Sequence, residues 1–305
     1  MPTNIRSNFA DFFGTTKLPE LEAIILAKQE SYGSMIPILF NQEMMSTDIY
    51  QTTTVSGLQN PTPKAENVPV TFQTIKSGFR KTYSATTFAA GYRISKESVR
   101  DGKFNFIQRA TESFAKGFYE VKEFSAAQIF DDAFTVNGYD GVPLCSLLHP
   151  LENSGAFGVN RPAVPSALSI TSFRELRNIM QDTLNENGQL VKYAPQYLVT
   201  PQLLQDVAKE IVASEFDPRN ANNAINTVYN YTQLLPGGMW QYLASDTAFF
   251  MVSPKNDHHL MFMLRQGMET DSDYDKQAFA HELIANERWD FGYSSWRGVA
   301  GNPGA

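Results

Sequence analysis

Few residues in this chain have both the type and the spacing that chemistry requires. Cys145 and His149 lie close together in PLCSLLHP, the residue types of a thiol nucleophile and its base. Such a pair must meet in space and needs an oxyanion site as well, so a partly buried, inert thiol is the expectation. His281 and Glu282 begin an HExxH pattern, but the second zinc ligand is replaced by Ala285. Asp271, Asp273, Asp275 and Glu282 keep the ligand spacing of a calcium loop. Lys276, however, stands where the sharp-turn glycine belongs and sets a positive charge beside the cation, so a solvated acidic loop is expected. His258 and His259 would point to opposite faces of a strand, which predicts one buried and one exposed histidine. No phosphate-cradling glycine loop, nucleophile elbow or dinucleotide fingerprint occurs. The sequon Asn230, Tyr231, Thr232 carries no meaning in a cytoplasmic chain. No catalytic, cofactor-binding or metal-binding residue is expected.

The bulk composition narrows the classes further. The chain has 305 residues, 42% of them hydrophobic and 19% charged, enough for a substantial core in one large or two modest domains. A net charge of −7 with no basic cluster argues against nucleic-acid binding as the main task, because counterion release needs grouped Lys and Arg. One cysteine excludes an internal disulfide framework and thiolate metal clusters, which fits a reducing compartment. No apolar run approaches the length of a membrane span. With 22 Phe and 13 Tyr, the chain has ample packing surface for its own interior or for contacts between subunits.

The elements that position these residues can be read from periodicity. Leu18 to about Tyr32 is a short amphipathic helix, with Pro19 early and Gly33 as its stop. Thr47–Gly91 has strand composition interrupted by NPTPKAENVP, and reads as a long two-stranded excursion whose tip is either that proline segment or Lys76, Ser77, Gly78. Val68, Val70 and Phe72 alternate within it. Phe104–Phe134 is the strongest helix, on the order of 45 Å at about 1.5 Å per residue. Ile107, Phe114, Phe118, Val121 and Ile129 form its apolar side, and Arg109, Glu112, Lys116, Glu120 and Glu123 the polar one. Gly117 within it costs about 1 kcal/mol relative to Ala, which calls for a close approach or compensating packing. Residues 135–165 form a long ordered loop. Ser172 caps a helix running to Leu184, and Tyr197–Val199 is a buried strand leading through Pro201 into another helix ending near Ser214. Strand patterns return from Ala248, ending in the alternation of Trp289, Phe291 and Tyr293.

The order of these pieces carries more information than any one of them. With GYRISKESVRDG before the long helix, DGVPLCSLLHP after it, SALSITSFRELRNIM, then PQYLVTPQLLQDVAKEIVAS, the chain resembles tailed-phage major capsid proteins with the Hong Kong 97 coat-protein fold. It is most similar to the branch like the major head subunit of Mu-type phages. Cys145 replaces an aromatic usual in that family. The resemblance covers roughly residues 20 to 300 and rests on packing and turn patterns. It implies an α+β fold divided into an N-terminal arm (1–46), an extended loop (47–91), a peripheral domain (92–165) with a spine helix at 104–134, an axial domain (166–247) and returning peripheral strands (248–305). It further implies a non-enzymatic, cofactor-free protein that self-assembles through hexamers and pentamers into an icosahedral head. Such a shell encloses double-stranded DNA in the virion after assembly in the host cytoplasm, with no membrane partner. A separate scaffolding protein and a portal are expected, and a decoration protein is compatible with this. The alternatives are an encapsulin-like nanocompartment shell and, from a different class, a calcium-dependent enzyme built on Asp271, Asp273, Asp275 and Glu282.

Overall fold

The structure, a computed structural model, describes residues 18–55, 60–61, 63–70, 72, 77–101, 104–217 and 225–305. Helix α1 (Leu18–Ser31) carries Pro19 in its first turn, where a missing N–H would be unpaired anyway. Leu21 and Ile25, one turn apart, are buried against Ile94, Val99, Ile107, Ala115 and Leu283. Residues 1–17 of the expected arm lie outside the described residues. A four-residue helix α2 (Ile36–Leu39) then leads into strand β1 (Asn41–Met44).

Strands β2 (Ile49–Val55) and β3 (Ser77–Ser84) form an antiparallel hairpin. It is the two-stranded excursion expected from the sequence, but shorter at its base. Val68 and Val70, expected in alternating strand-like order, lie in irregular backbone, and Lys76 of the second candidate tip lies outside the described residues. β4 (Thr86–Ser95) leaves the hairpin and joins another sheet. Ser95 caps α3 (Lys96–Arg100) by accepting from the Ser98 amide at 3.2 Å.

Helix α4 (Phe104–Asp131) has 28 residues, about 42 Å at 1.5 Å each. The expected span to Phe134 is completed by a 3-10 turn, Asp132–Phe134. The wheel reading needs one exchange between faces. Ile107 and Phe118 are buried as expected, but Val121 is 43% exposed and Glu123, placed on the polar side, is fully buried. Nothing lies within 4 Å of a side chain at Gly117, so no close approach explains that glycine.

The loop after α4 is pinned by a two-residue ladder, β5 (His149–Pro150) with β6 (Phe157–Gly158). Helix α5 (Ile170–Gln181) is capped by Ser169, not Ser172. Ser172 sits at the third helical position, where its hydroxyl accepts from the Ser169 amide at 2.8 Å and closes a capping box. Two serines at capping-box spacing can each serve as the cap, so the sequence alone does not choose between them.

Two sheets organise the rest. The large one has the order β1-β10-β11-β4, built on the long hairpin β10 (Leu260–Asp275) and β11 (Ala280–Tyr293). The small one has the order β12-β9-β7-β8, made from β7 (Tyr197–Val199), β8 (Gln233–Leu234), β9 (Phe249–Val252) and β12 (Val299–Asn302), with α6 (Gln205–Ala213) packed near it. Strands β9 and β12 were expected among the returning peripheral strands; they pair in the small sheet instead. The cause is visible in FFMV, an unbroken apolar run buried at every position. Phe249 and Met251 face the helices α5 and α6, while Phe250 and Val252 face the main core with Phe130, Trp240 and Trp296. One strand thus joins two cores.

Candidate functional site

The residues flagged as a nucleophile and its base are close, yet they do not form a pair. Strand β5 holds His149 fully buried, with Nδ1 2.7 Å from Asp140 Oδ2 and Nε2 3.2 Å from Asn160 Oδ1. Its ring stacks on Trp296 at 4.3 Å between centroids. The Asn160 amide donates to the carbonyls of Leu144 and Val299 at 2.7 and 3.0 Å, so its oxygen faces the ring and also accepts from the Ser146 amide at 2.8 Å. Both nitrogens of His149 are therefore occupied away from the thiol. Cys145 is fully buried, and burial pushes its thiol up, opposed only in part by the charge of Arg161. This cluster is a structural knot tying the loop after α4 to β12.

The other flagged residues are held apart by strand geometry. Asp271, Asp273 and Asp275 lie in β10, not in the expected loop, and pair across to Ile284, Glu282 and Ala280. Alternate residues of a strand are about 6.6 Å apart along its axis, too far to wrap one cation. The alternation with Thr270, Ser272 and Tyr274 suits a strand, and Asp275 then closes the turn by accepting from the Ala278 and Gln277 amides, which lower its carboxyl from its ordinary value. Glu282 pairs with Arg93 at 2.7 Å, and His281 packs beside Tyr274. Among the described residues, no group of three His, Cys, Asp or Glu side chains could hold a metal ion. His258 is buried and His259 exposed, in the division expected, but in a turn ahead of β10 and not within a strand. Asn230 sits in a turn at φ 52°.

Sequence reasoning missed Asn160, Trp296 and Glu123. Each is polar or amphipathic in a region read as loop or exposed face, and only long-range contacts make it structural. The exposed surface is more telling than the interior. On the hairpin side, Val68, Val70 and Phe72 are exposed, Phe72 at 92%. Phe106 and Phe124 are exposed along α4, and Leu203, Phe216 and Ile225 beside the small sheet. Under the hairpin lies a polar cavity of about 370 Å³, lined by Thr52, Thr54, Glu186, His259, Ser294 and Arg297. Its Arg297 guanidinium is already bound to Glu186 at 2.8 Å.

The model of the phage capsid protein family matches residues 79–302, from the second strand of the hairpin to the end of β12. The chain belongs to the phage capsid protein family. No curated protein matches it. Solved structures show how far the fold extends. A chain from Microbacterium phage Oxtober96 is 11% identical with a TM-score of 0.54, covering 89% of this chain and 91% of that one. The virus-like particle from Pyrococcus furiosus gives 8% identity and a TM-score of 0.54 over 94% and 99% of the two chains. The capsid of phage JBD30, decorated with minor capsid protein trimers, gives 13% and 0.51 over 70% and 92%. At these identities the likeness establishes the fold, which is that of Hong Kong 97-like coat proteins, and the family match establishes the role. This phage capsid protein is a structural subunit of the head shell and resides in the virion. The virus-like particle shares the fold equally well, so the assignment to a phage head rests on the family match and not on the fold.

Proposed function

We propose that this capsid protein forms a closed icosahedral head from hexamers and pentamers of itself and acts there as wall, without catalysis. The observation that carries this reading is a 28-residue helix braced on a long sheet, beside a hairpin whose apolar residues Val68, Val70 and Phe72 are exposed in the single chain. Exposed apolar groups of this size are covered in stable assemblies, and a neighbouring copy is the partner that repeats around a ring. In this reading the segment through α2 is the N-terminal arm. The β2–β3 hairpin is the extended loop lying over a neighbour, α4 with the large sheet is the peripheral domain, and the small sheet with α5 and α6 is the axial domain. Assembly takes place in the host cytoplasm with a scaffolding protein and a portal, and the shell accepts a decoration protein, as the JBD30 capsid does. Double-stranded DNA is enclosed without sequence-specific contact, consistent with the net charge of −7. Many modest contacts per subunit then stabilise the particle by multivalency.

Sedimentation and negative-stain imaging of the purified protein test this directly. Closed shells are the expected result; a monomer or dimer under all conditions overturns it. Cargo protein inside the shells in place of DNA would turn the reading towards a nanocompartment.

A further inference from the structure

Glu123 lies in the second half of α4, facing inward and fully buried. Three segments close around its carboxyl group. Ser34 Oγ is 2.5 Å and the Met35 amide 3.1 Å from Oε1, both ahead of α2, and the indole N–H of Trp240 donates to Oε2 at 3.0 Å. Tyr119, one turn earlier, donates to the Gly33 carbonyl at 3.1 Å, and Tyr242 packs on both Tyr119 and Phe124. A cavity of about 160 Å³ borders the carboxyl group, lined by Gly33, Met35, Tyr119, Pro236, Trp240 and Tyr242 among others.

The charged and titratable groups around it leave the carboxylate without a counter-ion among the described residues. On its own helix, Lys116 pairs with Glu120 and Lys122 with Glu287. From the α2 side, Lys255 is bound to the Pro37 carbonyl. Tyr119 and Tyr242 face it from α4 and from the 236–243 segment; burial raises both, and the nearby Glu120 and Glu123 carboxylates add to it. Buried charge without a cation is costly, whereas a neutral carboxyl group is not. Ser34 fits both states: its hydroxyl donates to a carboxylate, or accepts from a carboxylic acid while still accepting from the Ile36 amide at 3.2 Å.

We propose that Glu123 is a proton-operated clasp, in which protonation tightens the hold of α4 on residues 34–40 and 236–243, and ionisation admits water through the adjoining cavity and loosens both. Burial raises the Glu123 carboxyl above its ordinary value, against the donors Ser34, Trp240, Met35 and Ile36 that pull it down. The sign follows from linkage. A carboxyl group that binds its proton more tightly when closed than when opened to water favours the closed state at low pH, and loses that advantage as pH rises through its closed-state value.

Hydrogen exchange of the full chain, corrected for intrinsic rates, tests the clasp. Relative to peptides of β9, which carry any global change in stability, peptides covering residues 33–40 and 236–243 should be several-fold better protected at pH 5 than at pH 8. Glu123→Gln, neutral at both values, should hold the high protection throughout. Trp240→Phe removes a donor that serves the ionised form best, and should move the midpoint to higher pH. That variant keeps the test decisive if Glu123→Gln does not fold. Equal protection relative to β9 at both pH values, relative protection that rises with pH, a relative pH response surviving in Glu123→Gln, or an unmoved midpoint in Trp240→Phe overturns the proposal.

Discussion

Asn160 shows how much one side chain can fix. It satisfies two carbonyls, one amide and one imidazole nitrogen in a region without access to water. Asn160→Leu strips all four partners at once, and each orphaned buried group costs about 1–3 kcal/mol. A loss of roughly 4 kcal/mol or more is therefore expected in chemical denaturation, with the Cys145 thiol becoming reactive as the loop loosens. His258 makes a pH prediction of its own. Burial, then His259 and Lys255, bring its value down from 6.5 to about 4, so the folded chain keeps the ring neutral where the unfolded chain protonates it. Between these values the unfolded state binds more protons, and stability falls as pH falls, by about 3 kcal/mol from this residue alone. Denaturation at pH 4 and pH 7 measures it. His258→Gln should flatten that part of the slope, and an unchanged slope would rule the residue out.

At the scale of elements, α4 contains a test of what its glycine does. Gly117 has open space around its α-carbon and ordinary helical surroundings, so the expectation of a close approach does not hold within the subunit. Gly117→Ala should stabilise the isolated subunit by about 1 kcal/mol. At roughly 2–4 °C per kcal/mol, calorimetry resolves the shift. If Gly117→Ala subunits are more stable but no longer close shells, the glycine serves a contact between copies. The hairpin can also be tested as an element. Removing residues 47–91 would take away six of the ten β4 positions that pair with β11, and would unfold the large sheet. Replacing residues 56–76 with Asn-Gly leaves the paired base and buried Tyr83 in place. That variant is expected to fold, judged by circular dichroism, and to fail in forming closed shells; intact shells would remove the assembly role assigned to the hairpin.

At the scale of the whole molecule, the two sheets are not independent. Phe249 and Met251 belong to the core under α5 and α6, while Phe250 and Val252 belong to the core that also buries Phe130 of α4. The proposed axial and peripheral regions therefore share one strand. The architecture puts polar contacts at the places where segments meet: Arg288 with Asp48 at the hairpin base, Lys122 with Glu287 between α4 and β11, and Glu123 with the segment ahead of α2. Such contacts fix orientation more than they add stability.

What the sequence determined by itself was local and periodic. The length of α4 follows from its apolar spacing, β7 from a short apolar run before a proline, and the failure of the zinc pattern from Ala285. The order of these pieces was enough to point to the capsid family. Tertiary structure alone decided which sheet β9 and β12 join, that the acidic run is a strand, that Ser169 caps α5, and that Glu123 turns inward while Val121 faces out. The reason is physical. Periodicity reports which residues share a face of one element. What covers that face, and which buried polar group finds its donors there, depends on segments far along the chain, such as Ser34 and Trp240 around Glu123.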